Sequence, residues 1–341
     1  MTLSQDILAE LAEIAPGSAL AAARAVREAA TRHAQGSYET LFGQQDNDFP
    51  LDERFAVAAR VAKLHESDAL AAHYAGFGIA DPTSPQLVPA LAFARLLTFT
   101  PVEATPSALE ALIRAGWSLR GIVTLAQLIA FVSFQSRVIQ GFHVIARGDD
   151  PPKSDNVTNA VSDLAGQWHT HSHTRQGQRA PVAFTRDELA WEPWLAPRPL
   201  DDFFPDEQAT LTRFGHQDSP YFRLLGRNLP LLEQRTLTDK GIFYTPDGLG
   251  RAERELAATV VSKINGCIYC AIFKRDGSKR WNVLPMALCI MSDRPNRRQR
   301  IMRRKRCLRI GKKQLKMSAR QLKYCTCSLM TALICNYRLQ Q

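Results

Sequence analysis

Over its first 145 residues the chain is patterned almost entirely for helix. Ala-rich segments at Ser18–Gln35, Leu51–Glu66 and Gln86–Leu97 repeat their apolar residues at helical spacing, separated by Pro, Gly and Asp clusters such as QQDNDFP. The alternating β-branched runs that mark strands are nearly absent, which confines the chain to an all-α fold. A further short helix is expected at Ser107–Ala115. Gly116-Trp117-Ser118 then breaks the chain before a long apolar helix from about Arg120 to Ile145. Its most apolar part, GIVTLAQLIAFVSF at Gly121–Phe134, is too short to span a bilayer and fits a buried core helix.

Residues 147–205 are polar, rich in Pro and Asp and weakly periodic, and read as a linker. Helices resume from Asp206 through SPYFRLLGRNLPLLEQRTL, a YTPDGLG turn and RAERELAATVVSKI. That last segment has an echo in the first half. Set against residues 51–70, residues 251–270 match at Glu53/Glu253, Arg54/Arg254, Ala58/Ala258, Val61/Val261 and Lys63/Lys263, five identities in twenty positions. Each follows a turn, so the pattern suggests two related helical units. In this register Ser67 and Leu70 stand where the second half has Cys267 and Cys270, so the first unit has no dithiol.

Charge and cysteine divide the chain at nearly the same place. After Cys270 there are 19 Lys+Arg against 2 Asp+Glu, whereas the first 270 residues carry 24 against 31. All seven cysteines lie between Cys267 and Cys335, and all eight histidines lie at or before His216. The N-terminus, MTLSQDILAELAEIAPGS, has no basic n-region and reads as a short amphipathic helix rather than a signal peptide. A cytoplasmic, reduced protein with no membrane partner is expected, in which a CxxC serves redox or metal chemistry rather than a structural bridge.

Cys267 and Cys270 are three apart and share a helix face, so their sulfurs are placed to form a disulfide after small adjustment. Gly266 permits a helix break and restart that puts Cys267 in a first turn, where free amides and the helix dipole favour a thiolate. Glu255, twelve residues before Cys267, is a candidate proton acceptor if its helix packs antiparallel to the dithiol. Two other readings of the pair stand beside this one. They are half of a zinc site completed by Cys325-Thr326-Cys327, for which no histidine is at hand, or simply buried structural thiols. No cofactor and no metal are assigned. The alternating His169, His171 and His173 lie in the linker without Cys or acidic partners and are read as solvated.

ERELAATVVSKINGCIYCA resembles the active-site segment of the AhpD-like alkylhydroperoxidases of the carboxymuconolactone decarboxylase superfamily: Glu, eleven residues, Cys-x-x-Cys, three residues, His. Glu255, Cys267 and Cys270 fit that pattern, and residues 111–142 are similar to the long helix that completes such a domain. The resemblance implies tandem AhpD-like helical units, the second incomplete. The first is a degenerate unit at 1–146; after the linker at 147–205, a unit with the CxxC follows at 206–273. It also implies a homo-oligomer that reduces a peroxide substrate. Cys270 would attack as thiolate, Cys267 would resolve, Glu255 would move protons, and a thiol or disulfide reductase would supply electrons. The family histidine falls at Lys274, a departure that points to impaired activity or a catalytically weak scaffold. A decarboxylase-like or isomerase-like activity of the superfamily is argued against by the CxxC, since lactone decarboxylation needs no dithiol.

After Ala271 the resemblance stops. Arg outnumbers Lys 20 to 4 before the dithiol, the mark of GC-rich coding, and that bias fades afterwards, so residues 274–341 read as a basic, atypical tail left by a frameshift or recombination and expected to be disordered. Its run RPNRRQRIMRRKRCLRIGKK at 294–313 would attract phosphate backbones. It has few aromatics and no recognised module, so nucleic-acid binding is the least favoured reading.

Overall fold

The structure, a computed structural model, describes residues 5–147, 193–214 and 217–246, with positions 177, 179, 254, 257, 258, 261 and 262 besides. It is all-α, with no strand among the described residues. The first half runs through α1 (Ile7–Leu11), α2 (Ala19–Ala25), α3 (Glu28–Phe42), α4 (Leu51–Leu64), α5 (Asp68–Ala75), α6 (Leu87–Phe99), α7 (Pro106–Arg114) and α8 (Leu119–Arg147). The second half adds α9 (Pro205–Arg213), α10 (Pro220–Leu225) and α11 (Leu229–Phe243).

α8 is the axis of the core. Ile122, Leu125, Leu128, Ile129 and Val132 are all at most 1% exposed, and its most apolar stretch is 89% buried inside the fold, so a helix apolar all round is here a core helix. The Gly-Trp-Ser break sets its start. Gly116 takes φ +93°, which a glycine adopts without steric cost. Trp117 then packs edge-on against Phe49 and donates its indole N–H to the Gln86 carbonyl at 2.9 Å. The Ser118 hydroxyl accepts from the Gly121 N–H at 2.9 Å and caps the first turn.

Two helices differ from the sequence pattern. Ser18–Gln35 is divided at Arg27, whose φ of −113° and ψ of 32° leave the helix, and the second piece runs on to Phe42. No glycine or proline marks this break. Arg27 turns instead to donate to the Thr245 and Pro246 carbonyls at 2.8 and 2.9 Å, a contact 218 residues away in sequence. α5 was also absent from the pattern, because only Leu70 and Tyr74 of its eight residues are buried. Within the stretch read as a linker, residues 193–204 are described, and Trp194, Leu195 and Phe203 are buried with the helices.

The second half docks on the first in two places. Asn228, the N-cap of α11, donates its amide to the Thr124 hydroxyl of α8 at 3.0 Å. α11 also lies antiparallel along α3, the most closely knit helix pair among the described residues. The two backbones nearly touch at Gly241, where a Cβ would sit 2.5 Å from the Ala30 nitrogen, so only glycine fits there. Near the middle of the pair His33 Nδ1 lies 2.8 Å from Gln234 Oε1.

Candidate active site

The helix leading to the dithiol is entered through a clamp. Arg254 Nη1 donates to the Ile242 and Thr245 carbonyls, at 2.6 and 3.0 Å, where α11 ends. A helix C-terminus leaves carbonyls without intrahelical partners and carries partial negative charge, so a guanidinium there satisfies both. Ala258, Val261 and Ser262 follow on a buried face, with the Ser262 hydroxyl returned to the Ala258 carbonyl at 2.7 Å.

The first half holds the same device. Arg54 Nη1 donates to the Leu41 and Gln44 carbonyls at 2.7 and 3.1 Å where α3 ends, and its Nε donates to the Phe49 carbonyl at 2.6 Å. Leu41 and Gln44 lie 201 residues before Ile242 and Thr245, and Arg54 lies 200 before Arg254. α3 and α11 are both fifteen residues long and keep the same offset. Ala58 and Val61 are buried, as Ala258 and Val261 are. Three of the five matched pairs thus occupy like environments, and Glu253 and Lys263 of the other two lie outside the described residues.

Glu255, Cys267, Cys270 and Lys274 also lie outside the described residues, as do His169, His171, His173 and the tail 274–341. Their counterparts in the first half are Phe55, Ser67, Leu70 and Tyr74, and all four are buried. α4 ends at Leu64, Glu66 turns the chain at φ +56°, and Ser67 opens α5 with Leu70 in its first turn. Phe55 and Tyr74, in the places of the carboxylate and the histidine, have ring centroids 6.4 Å apart, and both pack on Phe42. The Tyr74 hydroxyl donates to Gln135 Oε1 of α8 at 2.5 Å, and burial pushes its phenol well up. In the first half these register positions are occupied by aromatic core. Among the described residues no three His, Cys, Asp or Glu side chains gather as metal ligands.

At the edge of this cluster His73 shares a 2.8 Å hydrogen bond with the Tyr38 hydroxyl. Burial holds its pKa below the ordinary value, against the pull of the Glu10 carboxylate. The unfolded chain therefore binds a proton at His73 before the folded one does. Stability from this group is complete above about pH 6.5 and falls as pH drops through that value, by at most about 1.4 kcal/mol per pH unit. His73→Gln should flatten that part of the profile. Urea midpoints at pH 7.5 and pH 5 check this, and an equal acid loss in both proteins would contradict it.

The spacing of Glu255, Cys267 and Cys270 was legible in the sequence, whereas the clamp was not. The Arg54/Arg254 match was visible, but the carbonyl partners lie five to thirteen residues upstream and belong to no local pattern. No curated protein matches the chain. Residues 230–280, which run from α11 through the clamp and the CxxC, match the model of the carboxymuconolactone decarboxylase family. That segment, 51 of the chain's 341 residues, is what is similar to the carboxymuconolactone decarboxylase family.

Proposed function

We propose that the second half is a thiol-dependent, alkylhydroperoxidase-like oxidoreductase that reduces peroxides through a Cys267–Cys270 dithiol/disulfide cycle. The observation that carries this reading is the spacing of Glu255, Cys267 and Cys270 inside the family segment. The Cys270 thiolate attacks the O–O bond, becomes a sulfenic acid and releases the alcohol after a proton is added. The Cys267 thiol displaces water from that sulfenic acid and closes the disulfide. A thiol or disulfide-reductase donor then returns both sulfurs to thiols, and Glu255 handles the protons.

The first half supports the local geometry. Glu66 adopts φ +56° where the second half has Gly266, the residue that takes such a turn without strain. On that register Cys267 corresponds to Ser67, which opens α5, and Cys270 to Leu70 in its first turn, a place where backbone N–H groups and the helix dipole lower a thiol pKa. The two clamps likewise support reading the halves as two copies of one unit, the first having exchanged its site for core.

Lys274 favours a second reading, a catalytically weak family scaffold, because an ammonium in place of the family histidine takes no proton at neutral pH. Mild peroxide treatment followed by non-reducing peptide mapping separates the two. The dithiol reading expects a Cys267–Cys270 disulfide with no fixed pairing among the later cysteines. A uniform partner at Cys325 or Cys327 would overturn it.

A further inference from the structure

We infer that Arg254 and Arg27 form a two-sided clamp on the Thr245 carbonyl that positions the redox helix, so that the first half, which has no dithiol of its own, sets the reactivity of the second. The inference rests on the dithiol reading above and adds residues that the family spacing does not include. Thr245 O accepts from Arg254 Nη1 at 3.0 Å and from Arg27 Nη1 at 2.8 Å. Arg254 is followed in sequence by Glu255, the residue that fits the family carboxylate. Arg27 comes from the break between α2 and α3, and it also holds the Pro246 carbonyl at 2.9 Å.

Two guanidiniums repel, and the end of α11 offsets this by presenting carbonyls and the negative end of its dipole to both. The arrangement ties three things at one point: the first half, the end of α11, and the start of the redox helix. Arg54 is the built-in comparison. It makes the same clamp on α3 with the same spacing of acceptors, but the helix it fixes leads to Ser67 and Leu70. Helix ends need clamping in both halves; only the helix that starts at the Arg254 clamp leads, in sequence, to the two cysteines.

Arg and Lys are not equivalent here, because the Nη1 that donates to both carbonyls sits at the end of a longer, planar side chain, whereas a lysine ammonium is a shorter-reaching point charge. Arg254→Lys keeps the charge and loses the geometry. Arg27→Gln loosens the same carbonyl from the other side, and Arg54→Lys makes the same change in the first-half clamp. The readouts are the pH dependence of iodoacetamide alkylation at Cys270, followed by mass spectrometry, together with peroxide kcat and KM and the thermal midpoint of each full-length variant.

Arg254→Lys and Arg27→Gln should each move the alkylation midpoint by about half a pH unit or more. Each should also lower kcat by about tenfold with little change in KM. Arg54→Lys should lower the thermal midpoint at least as much and leave the alkylation midpoint in place. If Arg254→Lys does not fold, Arg27→Gln decides alone. An unmoved midpoint in Arg27→Gln, or an equal movement in Arg54→Lys, overturns the clamp. The alkylation readout needs no turnover, so a moved midpoint in a protein that reduces no peroxide sustains the clamp and removes the peroxidase reading instead.

Discussion

Replacing Arg54 by alanine is expected to cost the fold about 3–5 kcal/mol. The residue is 3% exposed, and it answers the Phe49, Leu41 and Gln44 carbonyls at 2.6, 2.7 and 3.1 Å. Its other nitrogen stands 3.6 Å from the Asp46 carboxylate. Burial draws the guanidinium pKa down and Asp46 opposes that, but arginine starts so high that it stays charged. Truncation strands three carbonyls at the end of α3 and around the turn into α4. Asp46 loses less, because Arg120 Nη1 still reaches it at 2.5 Å. The carbonyls therefore dominate the loss, and a thermal midpoint lower by on the order of 10 °C is the expected result. Equilibrium urea unfolding gives the free energy directly, and a loss below about 1 kcal/mol would show that water replaces the clamp.

The legible and illegible parts of this chain divide along the range of the interaction that decides them. α4, α6 and α7 follow from apolar spacing within one helix, and α8 from an apolar run opened by Gly116-Trp117-Ser118. The break at Arg27 did not follow, since no Gly or Pro marks it and the carbonyls that Arg27 binds, Thr245 and Pro246, are distant in sequence. Nor did the antiparallel seating of α11 on α3, which depends on Gly241 meeting the backbone at Ala30. α5 escaped because an alanine-rich helix with two buried residues has little periodicity to detect. The site has the same character. Glu255, Cys267 and Cys270 are readable because their chemistry fixes a short spacing in one segment. Arg27, Arg54 and Arg254 hold distant carbonyls, and an arginine in an amphipathic helix reads first as solvated surface.

The four first-half positions in register with the proposed site all belong to the core. Phe55 and Tyr74 take the carboxylate and histidine positions and stack into Phe42. Ser67 and Leu70 stand in register with the two cysteines and are buried as well. On the dithiol reading, activity comes from the second half and depends on one sulfur, since Phe55, Ser67, Leu70 and Tyr74 offer no thiol.

That dependence is the account's largest expected effect and its most direct test. The full-length protein, supplied with a dithiol reductant and an organic hydroperoxide, should turn over slowly, since Lys274 leaves the proton route from Glu255 without the family histidine. Cys270→Ser replaces the attacking thiolate by a hydroxyl that stays protonated at neutral pH, and the enzymatic rate should fall by about 100-fold or more, to the rate of reductant alone. Cys267→Ser should still allow one stoichiometric oxidation, trapped at Cys270 as a sulfenic acid by dimedone. The measurement is steady-state hydroperoxide consumption by wild type and Cys270→Ser side by side. A rate that vanishes with Cys270 is the predicted result, and a rate that survives unchanged in Cys270→Ser would contradict the dithiol mechanism outright.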